Sequence, residues 1–259
     1  MQQELQIAII QADLAWEDAQ KNRISFSKKM KEINIPVDVI LLPEMFTTGF
    51  SMTPKKLAES MTGETVVWMQ EMARSMDAAI AGSVIIEEEG QFYNRMLFVH
   101  PDGNIDCYDK RHAFTLAGED KEYATGNSLT IVEYKGWRIC PLICYDLRFP
   151  VWSRNTQNYD VLLYVASWPK PRINAWNSLL KARAIENMSY CIGVNRVGVD
   201  PNGYEYSGNS AAIDFLGNEM TALSENNETV LYATLQKEKL IALRSKLNFL
   251  NDKDTFVVK

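Results

Sequence analysis

Histidine and cysteine, the residues that most often hold metal ions, are scarce in this sequence. Its 259 residues include two histidines and four cysteines. Neither His100 nor His112 belongs to a ligand-spaced pair of the kind that forms a zinc site, so no metal is expected. Four cysteines could form two disulfides, but a long chain without a secretion signal is expected to keep its thiols reduced in the cytoplasm.

Long apolar runs and an excess of positive charge are also missing. No run approaches the ~20 apolar residues that are needed to cross a bilayer. The net charge is -6 and the pI is about 5.1. This balance gives no electrostatic footprint for nucleic acid or an anionic membrane. The sequence therefore predicts a cytoplasmic protein with neither kind of partner.

What is present is the pattern of an α/β protein. Hydrophobic residues make up 46% and charged residues 23% of the chain, as in ordinary globular proteins. The apolar patterns predict strands over residues 37–42, 79–86, 91–99, 137–143 and 160–166, helices over residues 18–33 and 174–189, and a short helical turn over residues 149–155. There is no linker or repeat, so residues 1–259 are expected to form one domain in which two sheets carry helices on their outer sides.

The best candidate for a reactive residue is Cys144. It ends an apolar strand, and polar residues follow at once in Tyr145, Asp146 and Arg148. A cysteine at the carboxyl end of a buried strand is held rigidly, yet it can face the rim where open sheets bind ligands. Cys144 could equally be a small buried hydrophobe. We interpret Asp146 and Arg148 as a structural pair.

A thiol needs a base or a positive charge nearby to become a nucleophile. Because histidine is scarce, a carboxylate is worth considering, and Glu44 follows the apolar strand over residues 37–42 with apolar neighbours on both sides. Desolvation would raise its proton affinity towards that of a thiol. Lys110 could stabilise a thiolate or an oxyanion, together with the backbone N–H of Tyr145. From the residues alone, Glu44 could instead bind an arginine, and Lys110 could belong to a solvated basic face.

Three segments in this order resemble the nitrilase superfamily of carbon–nitrogen hydrolases. They are L-L-P-E-M-F around Glu44, Y-D-K-R-H-A-F around Lys110 and P-L-I-C-Y-D-L-R-F-P around Cys144. The later segments W-N-S-L-L-K-A-R-A-I-E-N and S-G-N-S-A-A-I-D also fit. The resemblance implies a four-layer α-β-β-α sandwich with two mixed sheets, commonly a homodimer or higher homo-oligomer. It also makes Glu44 the general base, Lys110 the electrophilic stabiliser and Cys144 the nucleophile.

The family often has a second glutamate seven residues before a glycine in the loop after the lysine. Glu119 stands seven residues before Gly126, and Glu122 is the nearby alternative. Relatives often carry leucine where this chain has Ala113, so the wall formed with Phe114 is expected to be slightly roomier.

Within the superfamily, C-Y-D-L-R-F-P-V-W-S-R-N and A-S-W-P resemble the omega-amidase branch. That branch hydrolyses the terminal amide of small 2-oxo acids, such as 2-oxoglutaramate and 2-oxosuccinamate, through a cysteine thioester and without a cofactor. Tyr145, Phe114 and Trp168 are the predicted substrate-binding residues. Arg172 is a candidate for the substrate carboxylate, although a surface arginine would be the simpler interpretation.

Several alternatives remain open from the sequence. The chain could have another carbon–nitrogen hydrolase specificity, as an N-carbamoyl amidohydrolase, an aliphatic amidase or a nitrilase. It could be a Cys–His hydrolase that uses Cys144 and His112, or a binding module without catalysis. The polar tail from about residue 245 to 259 is a candidate for packing on a partner subunit.

Overall fold

The computed structural model describes residues 2–258, in which helices and strands alternate. The strands are β1 (Glu4–Gln11), β2 (Val39–Leu41), β3 (Ala79–Glu88), β4 (Gln91–Val99), β5 (Ile105–Asp109), β6 (Val132–Tyr134), β7 (Trp137–Ile143), β8 (Val161–Ala166), β9 (Tyr190–Asn195), β10 (Val197–Val199), β11 (Glu205–Ser207), β12 (Ala211–Ile213) and β13 (Thr229–Gln236). The helices are α1 (Ala19–Lys31), α2 (Pro54–Leu57), α3 (Glu64–Met76), α4 (Glu119–Glu122), α5 (Ile173–Asn187) and α6 (Lys237–Leu247). None of these helices has the length and apolar character needed to cross a membrane.

The strands form two large mixed sheets and one small hairpin. The first sheet has the order β13-β1-β2-β3-β4-β5, and the second has the order β12-β9-β8-β7-β6. Each sheet has three parallel strands at its centre, β1-β2-β3 in the first and β7-β8-β9 in the second, with antiparallel strands outside them. Strands β10 and β11 pair separately.

The predicted α-β-β-α sandwich is confirmed by two hydrophobic layers. One layer joins the first sheet to α1 and α3, through residues such as Phe26, Met69 and Ile80. The other contains residues of both sheets together with Trp176 of α5 and Leu240 of α6. Strand residues that alternate between two faces supply both layers, because successive side chains of a strand point in opposite directions.

The largest local difference from the sequence prediction follows β7. A short 3₁₀ helix spans Cys144–Arg148, and residues 149–155 are irregular instead of helical. The turn begins early because Cys144 adopts a φ of 43°, and because the Asp146 carboxylate accepts a hydrogen bond from the backbone N–H of Ile143. A left-handed conformation at a residue other than glycine is strained and often marks a functional site.

The topology brings the chemically important loops to one edge of the molecule. Glu44 follows β2, Lys110 follows β5, Cys144 follows β7 and Ser167 follows β8. Carboxyl ends of parallel strands meet at the same edge of a sheet. Strand β4 is antiparallel to both β3 and β5, so β5 runs in the same direction as β3. The face-to-face packing of the sheets then sets the two groups of loops opposite each other.

Candidate active site

A cavity of about 670 Å³ opens at this edge, and the three predicted catalytic side chains Glu44, Lys110 and Cys144 lie in its wall. All three are buried, with exposures of 0%, 2% and 9% respectively. Such a concave, partly apolar pocket with converging polar groups is the usual setting of an enzyme site.

Lys110 lies between two carboxylates. Its Nζ is 2.8 Å from Oε1 of Glu44 and 2.9 Å from each carboxylate oxygen of Glu119. Of the two glutamates that the sequence offered as a second acid, Glu119 lies beside Lys110, while Glu122 is exposed. The backbone N–H of Phe114 donates to Glu119 Oε2 over 2.5 Å, which ties the loop after Lys110 to the same carboxylate.

The charges of this cluster alter the ionisation of its members. Burial alone would lower the pKa of Lys110, but Glu119 and Glu44 more than offset burial, so the net pKa is raised and the ammonium form is favoured. Burial and the neighbouring Glu44 raise the pKa of Glu119, while Lys110 and the Phe114 N–H oppose this shift. Lys110 is therefore a fixed positive charge at the base of the cavity.

Cys144 reaches the cluster from the opposite sheet. Its thiol lies within hydrogen-bonding reach of the Glu44 carboxylate, and the backbone N–H of Ser167 also faces it. Burial and Glu44 raise the pKa of the Cys144 thiol well above its usual value, and Lys110 opposes this rise. Cys144 is thus a neutral thiol that lies beside Glu44.

Asp146 and Arg148 do not form the structural pair that the sequence suggested. The Asp146 carboxylate instead accepts hydrogen bonds from Tyr108 Oη at 2.8 Å and from the backbone N–H of His112 at 3.0 Å. His112 Nδ1 lies 2.8 Å from the same carboxylate, and its ring stacks on Phe149 at 3.7 Å. A buried carboxylate needs several hydrogen-bond donors. Because Tyr108 and His112 supply these donors, Asp146 joins the loop that carries Lys110 to the loop that carries Cys144.

The predicted substrate-binding residues Tyr145, Phe114 and Trp168 all line the cavity. The guanidinium of Arg148 lies 4.9 Å from the centre of the Trp168 ring, and that of Arg172 lies 5.2 Å from the centre of the Phe114 ring. Within residues 2–258, neither guanidinium donates a hydrogen bond or forms an ion pair. Arg172 is thus a cavity residue, and Arg148 joins it there.

Sequence reasoning missed two residues that contact Glu44. Ser167 donates its backbone N–H to Glu44 Oε2 at 2.8 Å, and Asn94 donates its side-chain amide to Oε1 at 2.8 Å. Ser167 could have been noticed, since it follows the predicted strand over residues 160–166. Asn94 lies inside β4, and only its polarity within a largely buried strand gave a signal.

Together these groups suit acyl transfer more than metal chemistry. A thiol, a carboxylate and an ammonium converge in one cavity, the groups that nucleophilic catalysis requires. In the described part of the chain, no group of three or more histidine, cysteine or acidic side chains is arranged to hold a metal ion.

Comparison with known proteins agrees with this geometry. The profile of the carbon-nitrogen hydrolase family matches residues 6–245. The sequence is 46% identical to the omega-amidase YafV of Yersinia enterocolitica, over 98% of each chain, and 31% identical to the 2-oxoglutaramate amidase of Bacillus subtilis, over 95% of this chain and 96% of that one. The crystal structure of XC1258 from Xanthomonas campestris, described as a CN-hydrolase superfamily protein with an arsenic adduct in the active site, covers 100% of both chains with a TM-score of 0.96 and 41% identity. The chain therefore belongs to the carbon-nitrogen hydrolase family, within the nitrilase superfamily.

Proposed function

We propose that the protein hydrolyses the terminal amide of a small 2-oxo acid, such as 2-oxoglutaramate or 2-oxosuccinamate, to the acid and ammonia. The names of two relatives, an omega-amidase and a 2-oxoglutaramate amidase, point to this substrate class. The observation that carries the proposal is the pair of guanidiniums, Arg148 and Arg172, that share a cavity with Cys144 and have no acceptor within residues 2–258.

The first half-reaction forms a thioester. Glu44 takes the thiol proton as the sulfur of Cys144 attacks the amide carbonyl, and the closeness of the two groups prepares this transfer. Lys110 and the backbone N–H of Tyr145 stabilise the resulting oxyanion. Glu44 then returns its proton to the amide nitrogen, the C–N bond breaks and ammonia leaves.

The second half-reaction releases the acid. Glu44 removes a proton from water, which attacks the thioester carbonyl, and the same donors stabilise the second oxyanion. Collapse of this intermediate breaks the C–S bond, and the sulfur regains the proton held by Glu44. Glu119 is not a proton carrier in this scheme, because both its oxygens accept hydrogen bonds from Lys110 and it serves to hold the ammonium.

The far end of the substrate is recognised by charge. A carboxylate bound by Arg148 and Arg172 would lie between two guanidiniums that stack on aromatic rings, which fixes their planes for hydrogen bonding. Burying a carboxylate requires such partners. Phe114 and Trp168 then provide apolar walls for the short carbon chain between the carboxylate and the amide.

The Cys–His alternative has little support from the surroundings of His112. Its Nδ1 faces Asp146, its ring lies flat on Phe149, and it is not among the residues that line the cavity.

Release of ammonia from 2-oxoglutaramate, glutamine and a simple aliphatic nitrile tests the proposal. We expect kcat/KM to be highest for 2-oxoglutaramate. We also expect ammonia release to be lost when Cys144 is replaced by alanine. Faster turnover of glutamine or the nitrile would refute the substrate assignment. His112→Asn should keep more activity than Glu44→Gln, and the reverse order would favour a Cys–His enzyme.

We also propose that two copies of the chain pair through the face that carries α5 and α6. Ile185 on α5 and Ile241 on α6 are exposed apolar side chains, and Ile185 lies next to Gly217, the neighbour of the exposed Leu216. Exposed apolar side chains that lie together commonly mark an interface. Light scattering should give the mass of a dimer or a larger assembly, and Ile185→Glu should lower that mass. Ile24→Glu on the opposite layer, where Ile24 is 64% exposed, is the control.

The C-terminal tail over residues 245–259 stays a candidate for packing on that partner. Its described part ends in the exposed Phe256, Val257 and Val258. A cytoplasmic location also stays a prediction, which the need for a reduced nucleophile supports.

A further inference from the structure

One buried residue, Asn94, contacts Glu44, Glu119 and Lys110. Asn94 lies on β4 and is 1% exposed. Its Nδ2 donates to Glu44 Oε1 at 2.8 Å and to Glu119 Oε1 at 3.2 Å. Its backbone carbonyl accepts the N–H of Lys110 at 3.0 Å. A single residue therefore holds both carboxylates and the base of the lysine that lies between them.

The orientation of this amide follows from its surroundings. Both neighbouring carboxylates accept hydrogen bonds, so Asn94 must present its NH₂ group to them. Its Oδ1 is then left buried without a hydrogen-bond partner. A buried acceptor without a partner is destabilising and rare in folded proteins. Because Asn94 is present despite its unpaired Oδ1, we expect its role to depend on the hydrogen bonds that its NH₂ group donates.

That NH₂ group distinguishes the two oxygens of Glu44. Oε1 accepts hydrogen bonds from Lys110 and from Asn94, whereas Oε2 accepts one from the backbone N–H of Ser167. The same Ser167 N–H also faces the sulfur of Cys144. Each donor lowers the proton affinity of the oxygen it contacts. Oε2 therefore has one donor where Oε1 has two, and that donor, the Ser167 N–H, is the one that also faces the sulfur of Cys144.

We propose that Asn94 is a positioning residue that directs proton transfer in this site. It holds the carboxylates of Glu44 and Glu119 against Lys110 and leaves Oε2 of Glu44 to receive the proton of Cys144. The inference rests on the proton-transfer role given to Glu44 under the proposed function. It does not depend on which amide is the substrate.

The variant Asn94→Asp tests this role through its pH dependence. The charged groups around residue 94 are the carboxylates of Glu44 and Glu119 and the ammonium of Lys110. Tyr123 interacts with the charges of all three, and burial raises its pKa so that it stays neutral. An ionised aspartate has no donor and adds a third negative charge. A protonated aspartic acid can donate one hydrogen bond, so lower pH should restore part of the lost function.

We expect kcat of Asn94→Asp at pH 8 to be about 100-fold below that of the unchanged protein, the loss typical of a displaced catalytic group. The kcat of the unchanged protein divided by that of Asn94→Asp should then fall about tenfold or more between pH 8 and pH 5. Two neighbouring anions raise the pKa of the introduced aspartate, so it becomes protonated as the pH falls to 5. KM should change little, because no substrate contact is lost. A ratio that stays constant with pH, or a loss below about threefold at pH 8, would overturn the proposal.

Asn155→Asp is the matched control. Asn155 is also fully buried, and its Nδ2 donates to two backbone carbonyls, those of Tyr159 and Asn187, outside the cavity. This variant should lower the melting temperature without an acid shift of its kcat profile. An equal acid shift in the control would also overturn the proposal, since the effect would then be general to buried aspartates.

A second measurement does not require any amide substrate. At pH 8, alkylation of Cys144 by iodoacetamide should be slowed about tenfold or more in both Asn94→Asp and Asn94→Ala. As the pH is lowered, the alkylation rate relative to that of the unchanged protein should recover in Asn94→Asp but not in Asn94→Ala. Circular dichroism and thermal unfolding establish that each variant is folded. If the unchanged protein hydrolyses none of the 2-oxo acid amides, the substrate proposal is wrong, while alkylation still tests Asn94. Unaltered alkylation in both variants, or failure of both to fold, would assign Asn94 a structural role only.

Discussion

Replacing Arg148 or Arg172 by methionine tests whether the cavity recognises a substrate carboxylate. Methionine keeps an unbranched chain of similar reach beside Trp168 or Phe114, and it removes the charge and the hydrogen-bond donors. The two guanidiniums have no acceptor within residues 2–258, so their removal breaks no ion pair there. The change therefore acts mainly on the bound substrate, and the fold is expected to be kept.

The size of the effect follows from the exposure of these side chains. A hydrogen bond to a charged group contributes about 1.5–3 kcal/mol. Both arginines are only partly buried, so solvent screening favours the lower part of that range. A loss of about 1.5–2 kcal/mol corresponds to a decrease of roughly 10- to 30-fold in kcat/KM for each variant. Because both guanidiniums would bind one carboxylate, the losses in the double variant should not simply multiply.

The assay compares ammonia release from 2-oxoglutaramate with release from pentanamide, which lacks the carboxylate. We expect the decrease in kcat/KM for 2-oxoglutaramate only, with pentanamide changed by less than about threefold. Arg138→Met is the control, because Arg138 pairs with Glu133 outside the cavity. Equal losses for both amides, or unchanged turnover of 2-oxoglutaramate, would show that Arg148 and Arg172 do not bind the substrate carboxylate.

Three further predictions concern the reacting groups. Glu44→Gln should lower kcat by about 10²- to 10⁴-fold with little change in KM, because the amide cannot accept the thiol proton. Steady-state kinetics measures both constants, and an unchanged kcat with an altered KM would contradict this role of Glu44. Burial raises the pKa of Cys107 to about 11, so its thiolate fraction and alkylation rate should rise about tenfold per pH unit between pH 7 and 9. The alkylation rate of Cys144 should depend less on pH, because Glu44 takes the proton of its thiol. Mass spectrometry of the alkylated peptides measures both rates, and equal pH dependence for Cys107 and Cys144 would contradict this expectation. Asp146→Asn should lower the melting temperature by about 3–10 °C, through loss of charge-assisted hydrogen bonds; an unchanged melting curve would contradict the bridging role.

Much of the fold was predictable because the local patterns are strong. The strands over residues 91–99 and 137–143 have the predicted limits, and the helix predicted over 174–189 spans Ile173–Asn187. These segments alternate or repeat their apolar residues with the period of the element they form. The irregular segment over residues 149–155 was not predictable in this way. The turn starts earlier, because Cys144 is left-handed and the backbone N–H of Ile143 donates a hydrogen bond to the Asp146 carboxylate.

The candidate site was predictable as a set of residues but not as a network. Glu44, Lys110 and Cys144 stand at strand ends, which the sequence reveals, and the family resemblance supplied their roles and the choice of Glu119. The contacts of Asn94 with Glu44 join residues 50 positions apart. No periodic pattern encodes such a contact, since it depends on how neighbouring strands align.

The partnership of Asp146 shows a similar limit. Its nearness in sequence to Arg148 suggested an ion pair, yet a buried carboxylate at the start of a turn is bonded to Tyr108 and to His112 on another strand's loop. Arg148 turns towards Trp168 and the cavity instead. Neighbours in a tight turn point in different directions, so closeness along the chain was a poor guide to pairing.

In the proposed reaction Cys144 forms a thioester with the acyl part of the substrate while Glu44 moves the protons. Rapid mixing with 2-oxoglutaramate, an acid quench and mass spectrometry of the intact chain detect such a thioester. We expect a transient mass increase equal to the acyl group, located on the peptide that contains Cys144 and absent from Cys144→Ala. Ammonia release that continues in Cys144→Ala, or an adduct on another residue, would contradict it.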